Sequence, residues 1–241
     1  VQPLPPTAAA PGAPPTQVQG DPISTRDLNF LRQRAQGILG ELVGALPPAQ
    51  QQRVYGIPLV IDDTPGDVNA FAACSSTGRS AMAITDGLLL ISAGLAEAQA
   101  HDELFQTRKV DEYIHLVATQ LEPNRPVPVP PPGFFPASGD SRIVTRQHQV
   151  FDEITAFVLG HELGHHHLGH LPCTASPDPL GAGEVARVLS SNVPLFNQPN
   201  EIASDLAGTQ NILVAGRNRA AQGFYGWTEN GGLLTMRFFS G

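Results

Sequence analysis

Apolar residues recur at helical spacing from Leu28 through Leu31, Ala35, Ile38 and Leu42 to Leu46, and Pro47 and Pro48 stop the run. This predicts an amphipathic helix, with Ser24 and Thr25 as N-cap residues. The apolar, partly β-branched run 53–61 (RVYGIPLVI) predicts a strand that ends in the turn residues DDTPGD. Residues 68–74 (VNAFAAC) read as a second strand, and after the STGR turn SAMAIT can pair back as a third. A helix over 86–100 follows, packing through Leu88, Leu89, Ile91, Leu95 and Ala98, and then another over 101–121. Residues 150–171 form the next helical pattern, with Phe151, Ile154, Phe157, Val158 and Leu168 apolar and with Gly169 and Pro172 favouring its end. A short helix near 184–189 and a longer one over 198–215 complete the pattern, and the last stretch, GFYGWTENGGLLTMRFF, has no clear period.

Two segments fall outside these patterns. Residues 1–22 are rich in Pro, Ala, Gly and Gln with almost nothing to bury, which predicts an extended or disordered tether. Residues 122–149 contain PNRPVPVPPPGFFP (123–136), which can be neither an interior helix nor a central strand. The expected organisation is therefore a tether over 1–22 and one domain over 23–241 carrying a proline-rich insertion at 122–149. Phe134 and Phe135 either close over a cleft or anchor that long loop to the body.

A net charge of -8 argues against a nucleic-acid surface, and with Lys109 as the sole lysine there is no polybasic membrane patch. The longest apolar stretches fall well short of the roughly 20 residues that span a bilayer. The chain starts at Val1 and enters the Pro/Ala-rich segment at once, which reads as a processed end. The expectation is a periplasmic or secreted protein, with lipid anchoring through a membrane tether upstream of residue 1 as an extension of it. Cys74 and Cys173 are the only cysteines, and a bridge between them would tie a strand to the segment after the histidine-rich helix. Buried free thiols are the alternative.

Residues 161–170 read HELGHHHLGH. On a helix, His161 and His165 share one face and can reach one zinc ion, with Glu162 beside them as general base, which is the arrangement for metal-assisted hydrolysis. A third ligand is required. The metzincin pattern HExxHxxGxxH needs glycine at 168 and histidine at 171, where this chain has Leu168 and Leu171. Downstream, NEIASD places Glu201 and Asp205 four apart on one helical face. Glu201 is the better third ligand, and Asp205 can accept from the outer N–H of a ligand imidazole. Acidic residues at this spacing are more often a solvated face.

Four segments in order, VNAFA (68–72), ITDGLL (84–89), DEITAFVLGHELGHHHLGH (152–170) and EIASD (201–205), resemble the gluzincin metallopeptidases related to CAAX prenyl proteases, HtpX-type heat-shock proteases and periplasmic outer-membrane quality-control proteases. The resemblance implies an α+β fold, a mainly helical zincin-like metallopeptidase domain with a small β-sheet bordering the active-site cleft. It implies that His161, His165 and Glu201 hold one zinc ion, that Glu162 is the catalytic base, and that Asp205 orients the first histidine. It also implies that Asn69, Ala70, Phe71 and Ala72 border the substrate cleft, where a polypeptide could add as a strand. Many relatives carry histidine at the position of His170 without using it as a ligand, whereas His166 and His167 match nothing. All three read as solvent-facing or helix-end residues. Relatives often have a His-Pro pair and an arginine beyond the glutamate helix, but this chain has no histidine after His170. Tyr225 is the transition-state donor carried forward, with Arg217, Arg219 and Arg237 as further candidates.

The expected function is therefore a zinc-dependent metalloendopeptidase acting on protein or peptide substrates, envelope or misfolded proteins among them. Two alternatives stand beside it. One is a zinc-stabilised polypeptide-binding or chaperone-like module without turnover. The other is a latent protease whose zinc is blocked by one of its own side chains, with His148 available for that role.

Overall fold

The computed structural model describes residues 20–136, 140–190 and 198–240, so the expected tether lies outside the described residues apart from its last three positions. Those positions belong to the folded body. Asp21 accepts from His148 Nε2 at 2.6 Å and also pairs with Gln147, which corrects the boundary drawn after residue 22. The first helix, α1 (Leu28–Ala45), buries Leu31, Ala35, Ile38, Leu39 and Leu42. Asp27 caps it rather than Ser24 or Thr25, accepting from Asn29 N and Phe30 N at 3.0 and 3.3 Å. Thr25 is spent upstream, where its hydroxyl donates to the Asp21 carbonyl at 2.9 Å.

The segment read as one strand over 53–61 divides. Pro48 starts a short helix, α2 (Pro48–Val54), because its fixed φ suits a first helical turn, and the strand β1 (Leu59–Asp62) begins only after that helix ends. Strands β2 (Ala70–Cys74) and β3 (Ser80–Thr85) match the sequence reading. The sheet order is β1-β3-β2, with β1 parallel and β2 antiparallel to the fully buried β3. Strand β2 therefore has β3 on one side only.

Thr85 ends β3 and caps α3 (Asp86–Phe105), its hydroxyl accepting from Leu88 N at 3.1 Å. The pattern assigned to a helix over 101–121 is split by a break. The first residues extend α3, Gln106 turns into the left-handed region, and α4 spans Lys109–Gln120. Asp102 makes that break by accepting from Lys109 N and Val110 N at 2.6 and 3.0 Å. Phe134 and Phe135 then anchor the proline-rich loop: Phe135 stacks on His101 at 5.5 Å and Phe134 lies under Lys109 Nζ at 4.8 Å. The insertion is shorter than 122–149, because Asp140 caps a helix that already begins at Ser141.

That helix, α5 (Ser141–His167), is the axis of the molecule, and residues 150–160 are buried without a break. Around it pack α1, α3, α7 (Gln198–Ala221) and α8 (Asn230–Ser240), with α6 (Ala182–Leu189) lying by the sheet. The architecture is α+β, mainly helical with one small sheet. Helix α7 runs antiparallel to α5, since Ser204 lies against Gly164, Gly208 against Gly160, and Arg219 reaches Asp152. A Cβ on Gly208 would stand 2.8 Å from His161 N, so only glycine allows the two backbones to come this close.

Candidate metal centre

Four residues apart on α5, His161 and His165 point the same way, with their rings 4.9 Å apart. The close contact of α7 with α5 places Glu201 over both. The two Nε2 atoms are 3.1 Å apart, and Glu201 Oε2 lies 3.2 Å from that of His161 and 3.6 Å from that of His165. Among the described residues this is the cluster of three His, Cys, Asp or Glu side chains whose ligand atoms converge closely enough to hold a metal ion.

The donor set fits a small divalent cation. Atoms bound tetrahedrally at about 2.0–2.1 Å from one ion stand about 3.3–3.4 Å from one another, close to the three separations here. His161 Nδ1 lies 2.7 Å from Asp205 Oδ1 and donates to it, so a neutral ring turns its Nε2 lone pair toward Glu201. With the Nε2 lone pair of His165 also turned inward, two imidazoles and a carboxylate would offer three ligand atoms that a cation could hold together. Asp205 thus lies beside the first histidine.

Glu162 is held at the edge of this cluster. Its Oε2 accepts from Ala72 N at 2.8 Å, and its Oε1 is 3.9 Å from His161 Nε2. Burial pushes this carboxyl up to about 7 against the lowering effect of His161 and the Ala72 N–H, and the nearby carboxylates of Glu201 and Asp205 push the same way. Because Ala72 N–H points off the sheet, the two-residue alternation of an antiparallel pair turns the outer main-chain groups of Ala70 the same way. Asn69 is exposed but turns its main chain to β3, its carbonyl accepting from Thr85 N at 2.9 Å, and Phe71 is half-buried. The open edge of β2 therefore borders the metal cluster.

Beyond the cluster, Cys74 and Cys173 have their sulfurs at disulfide distance and their Cα atoms 5.5 Å apart. This joins the end of β2 to the chain leaving α5. His166 and His167 are buried rather than solvent-facing: His166 Nε2 donates to Ala81 O at 2.9 Å and so ties α5 to β3. Burial holds the His166 ring down at about 4. Gly169, at φ 78°, ends α5 in a Schellman turn, with Gly169 N bonding His166 O and His170 N bonding His165 O. That turn brings His170 Nδ1 to 3.2 Å from His165 Nδ1, a contact that helical spacing does not reveal because it forms beyond the helix end.

Other sequence candidates stay apart from the cluster. Tyr225 bonds Arg146 and Glu153, and Glu153 precedes His161 by eight residues, about 12 Å along α5. Arg219 pairs with Glu41 and Asp152, Arg237 with Asp111, and Arg217 is exposed far along α7. The antiparallel course of α7 carries Arg217, Arg219 and the following Tyr225 away from the metal end of α5, and Arg237 lies on α8. His148, bound to Asp21, sits about 20 Å before His161 on the same helix. Compared with models of protein families, with characterised proteins and with solved structures, the chain matches none.

Proposed function

We propose that this protein is a zinc-dependent metallopeptidase of the gluzincin type, with a zincin-like domain and one zinc ion held by His161, His165 and Glu201. The observation that carries the reading is the convergence of two Nε2 atoms and Glu201 Oε2 within 3.6 Å, with the Glu162 carboxylate alongside. Bound there, zinc would supply Lewis-acid polarisation of a scissile carbonyl and acidify water toward a pKa of about 7. Glu162 takes the proton from the attacking water and passes it to the leaving amine. The Ala72 N–H steadies the carboxylate for both transfers. Asp205 fixes the ring of His161, and the outer edge of β2 from Ala70 to Ala72 offers main-chain groups to an extended polypeptide.

Protein or peptide substrates, envelope or misfolded proteins among them, suit such an edge. The paired cysteines favour an oxidising compartment, periplasmic or extracellular. Among the described residues no helix is long and apolar enough to cross a membrane.

One observation favours a second reading, a zinc-stabilised polypeptide-binding module without turnover. None of Tyr225, Arg217, Arg219 and Arg237 stands at the cluster to stabilise a developing oxyanion. Metal analysis and cleavage of an unfolded protein, measured on the same samples, separate the two. The peptidase reading expects one zinc per chain and chelator-sensitive cleavage, loss of both in Glu201→Ala, and zinc without cleavage in Glu162→Gln. Zinc with no cleavage by the wild-type chain would leave the binding module. Undiminished turnover in Glu162→Gln would reject the base.

A further inference from the structure

We propose that His170 is a positioning residue for the metal centre: its Nδ1 accepts the Nδ1–H of His165 and so keeps the Nε2 lone pair of His165 free for the metal. This rests on the metal reading above. The two Nδ1 atoms lie 3.2 Å apart with the rings 72° to each other, so one proton fits between them. Two protons would collide there, and with none the contact would set lone pair against lone pair. If the proton belongs to His170, a neutral His165 carries its own proton on Nε2, pointing at His161 and Glu201, and cannot bind a metal. If it belongs to His165, the ring is ready to bind.

The metal reading requires the second arrangement, and two features hold the pair of rings in place for it. Ser204, fully buried on α7, has its hydroxyl 3.3 Å from the same His170 Nδ1 and so holds that ring against α7. The backbone fixes the placement: His170 N bonds His165 O at 2.9 Å through the turn at Gly169, so the residue that receives from His165 is also pinned to its carbonyl. Each metal-facing imidazole then has one acceptor on its other nitrogen, Asp205 for His161 and His170 for His165. Neighbouring residues of α7 supply both supports, Asp205 directly and Ser204 through His170. The supports differ in strength, because a carboxylate withdraws a proton more strongly than a neutral ring does.

The test pairs metal affinity with a direct view of the ring protons. In the metal-free wild type, a long-range nitrogen–proton NMR spectrum should show His165 protonated on Nδ1, and a proton on Nε2 would overturn the proposal. In chelator competition, His170→Phe, which keeps a ring without an acceptor, should bind zinc about 10- to 100-fold more weakly. His170→Asn, whose amide oxygen can take the place of Nδ1, should recover most of that loss. Affinity in His170→Phe within twofold of wild type, or no recovery in His170→Asn, would overturn it as well. Should His170→Phe fail to fold, the wild-type spectrum and the Asn variant still decide. A wild-type chain that takes up no zinc would instead reject the metal reading, and the metal-free spectrum would still decide the hydrogen bond.

Discussion

Replacing Gly208 by alanine tests whether the approach of α7 to α5 builds the site. The new Cβ would lie 2.8 Å from His161 N, 2.9 Å from Gly160 C and 3.1 Å from Gly160 O, where ordinary contact begins near 3.4 Å. These are backbone atoms of a buried helix, so α7 must retreat by about 0.6 Å, the difference between 3.4 and 2.8 Å. Alanine returns about 1 kcal/mol in helix propensity, while overpacking costs about 1–3 kcal/mol. The net loss is about 0–2 kcal/mol, and each kcal/mol lowers the melting temperature of a chain this size by about 2–4 °C.

The metal should feel the change more than the fold does. Glu201 is seven residues before Gly208 on the same face, and a shift of about 0.6 Å exceeds the roughly 0.2 Å tolerance of a metal–ligand distance. Zinc affinity should fall about tenfold or more. Gly160→Ala is the control, since its Cβ would meet its nearest neighbours, Gly208 Cα and O, at an ordinary 3.4 Å. It should melt at or above wild type and keep its metal. Thermal melts and chelator competition on both variants supply the comparison. If Gly208→Ala melts and binds like wild type, or if the two variants behave alike, the close approach of α7 does not build the site.

Three further outcomes are expected. Replacing Cys74 and Cys173 by serine, or reducing them, opens a link between residues 99 apart in sequence and should cost about 2–5 kcal/mol in urea unfolding; an unchanged midpoint would count against a formed bridge. Asp152 is buried between Arg34, at 2.6 Å, and Arg219, at 3.6 Å, so Asp152→Ala leaves two half-buried guanidinium groups to share Glu41 alone. It should cost about 1.5–3 kcal/mol by the same measurement, and a loss under about 1 kcal/mol would show the network to be solvated. Arg79, followed by Thr77 and the Gly181 N–H, holds the Glu184 carboxyl at about 2 against an ordinary 4.5. A lowered folded value means the stabilisation is complete above 4.5 and fades as pH falls toward 2, so the advantage of wild type over Glu184→Gln should shrink across that window. An advantage that does not change with pH would contradict this.

What the sequence determined by itself was periodic or local. The apolar stripe of α1, the short runs of β2 and β3 between turn residues, and the four-residue interval that puts His161 and His165 on one face all follow from local pattern, which needs no knowledge of neighbours. Glu201 and Asp205 were legible as a pair for the same reason. Periodicity failed where one pattern serves two structures. The run over 53–61 is apolar in either conformation, and Pro48 and Gly56 decided its division into α2 and β1. Helix α8 was hidden because Gly231 and Gly232, poor helix formers, are there to lie against Glu153 and Phe157 of α5.

Only the tertiary structure decided which polar groups meet. Glycine at the α5–α7 crossing brings Glu201 to the two histidines, the open edge of β2 gives Glu162 the Ala72 N–H, and the turn at Gly169 folds His170 back on His165. The same packing turns His166 and His167 inward and carries Tyr225 and Arg219 to the far end of α5. Spacing along one helix fixes directions around its own axis. Distances between helices depend on how closely their backbones pack, and that is a property of both chains of side chains together.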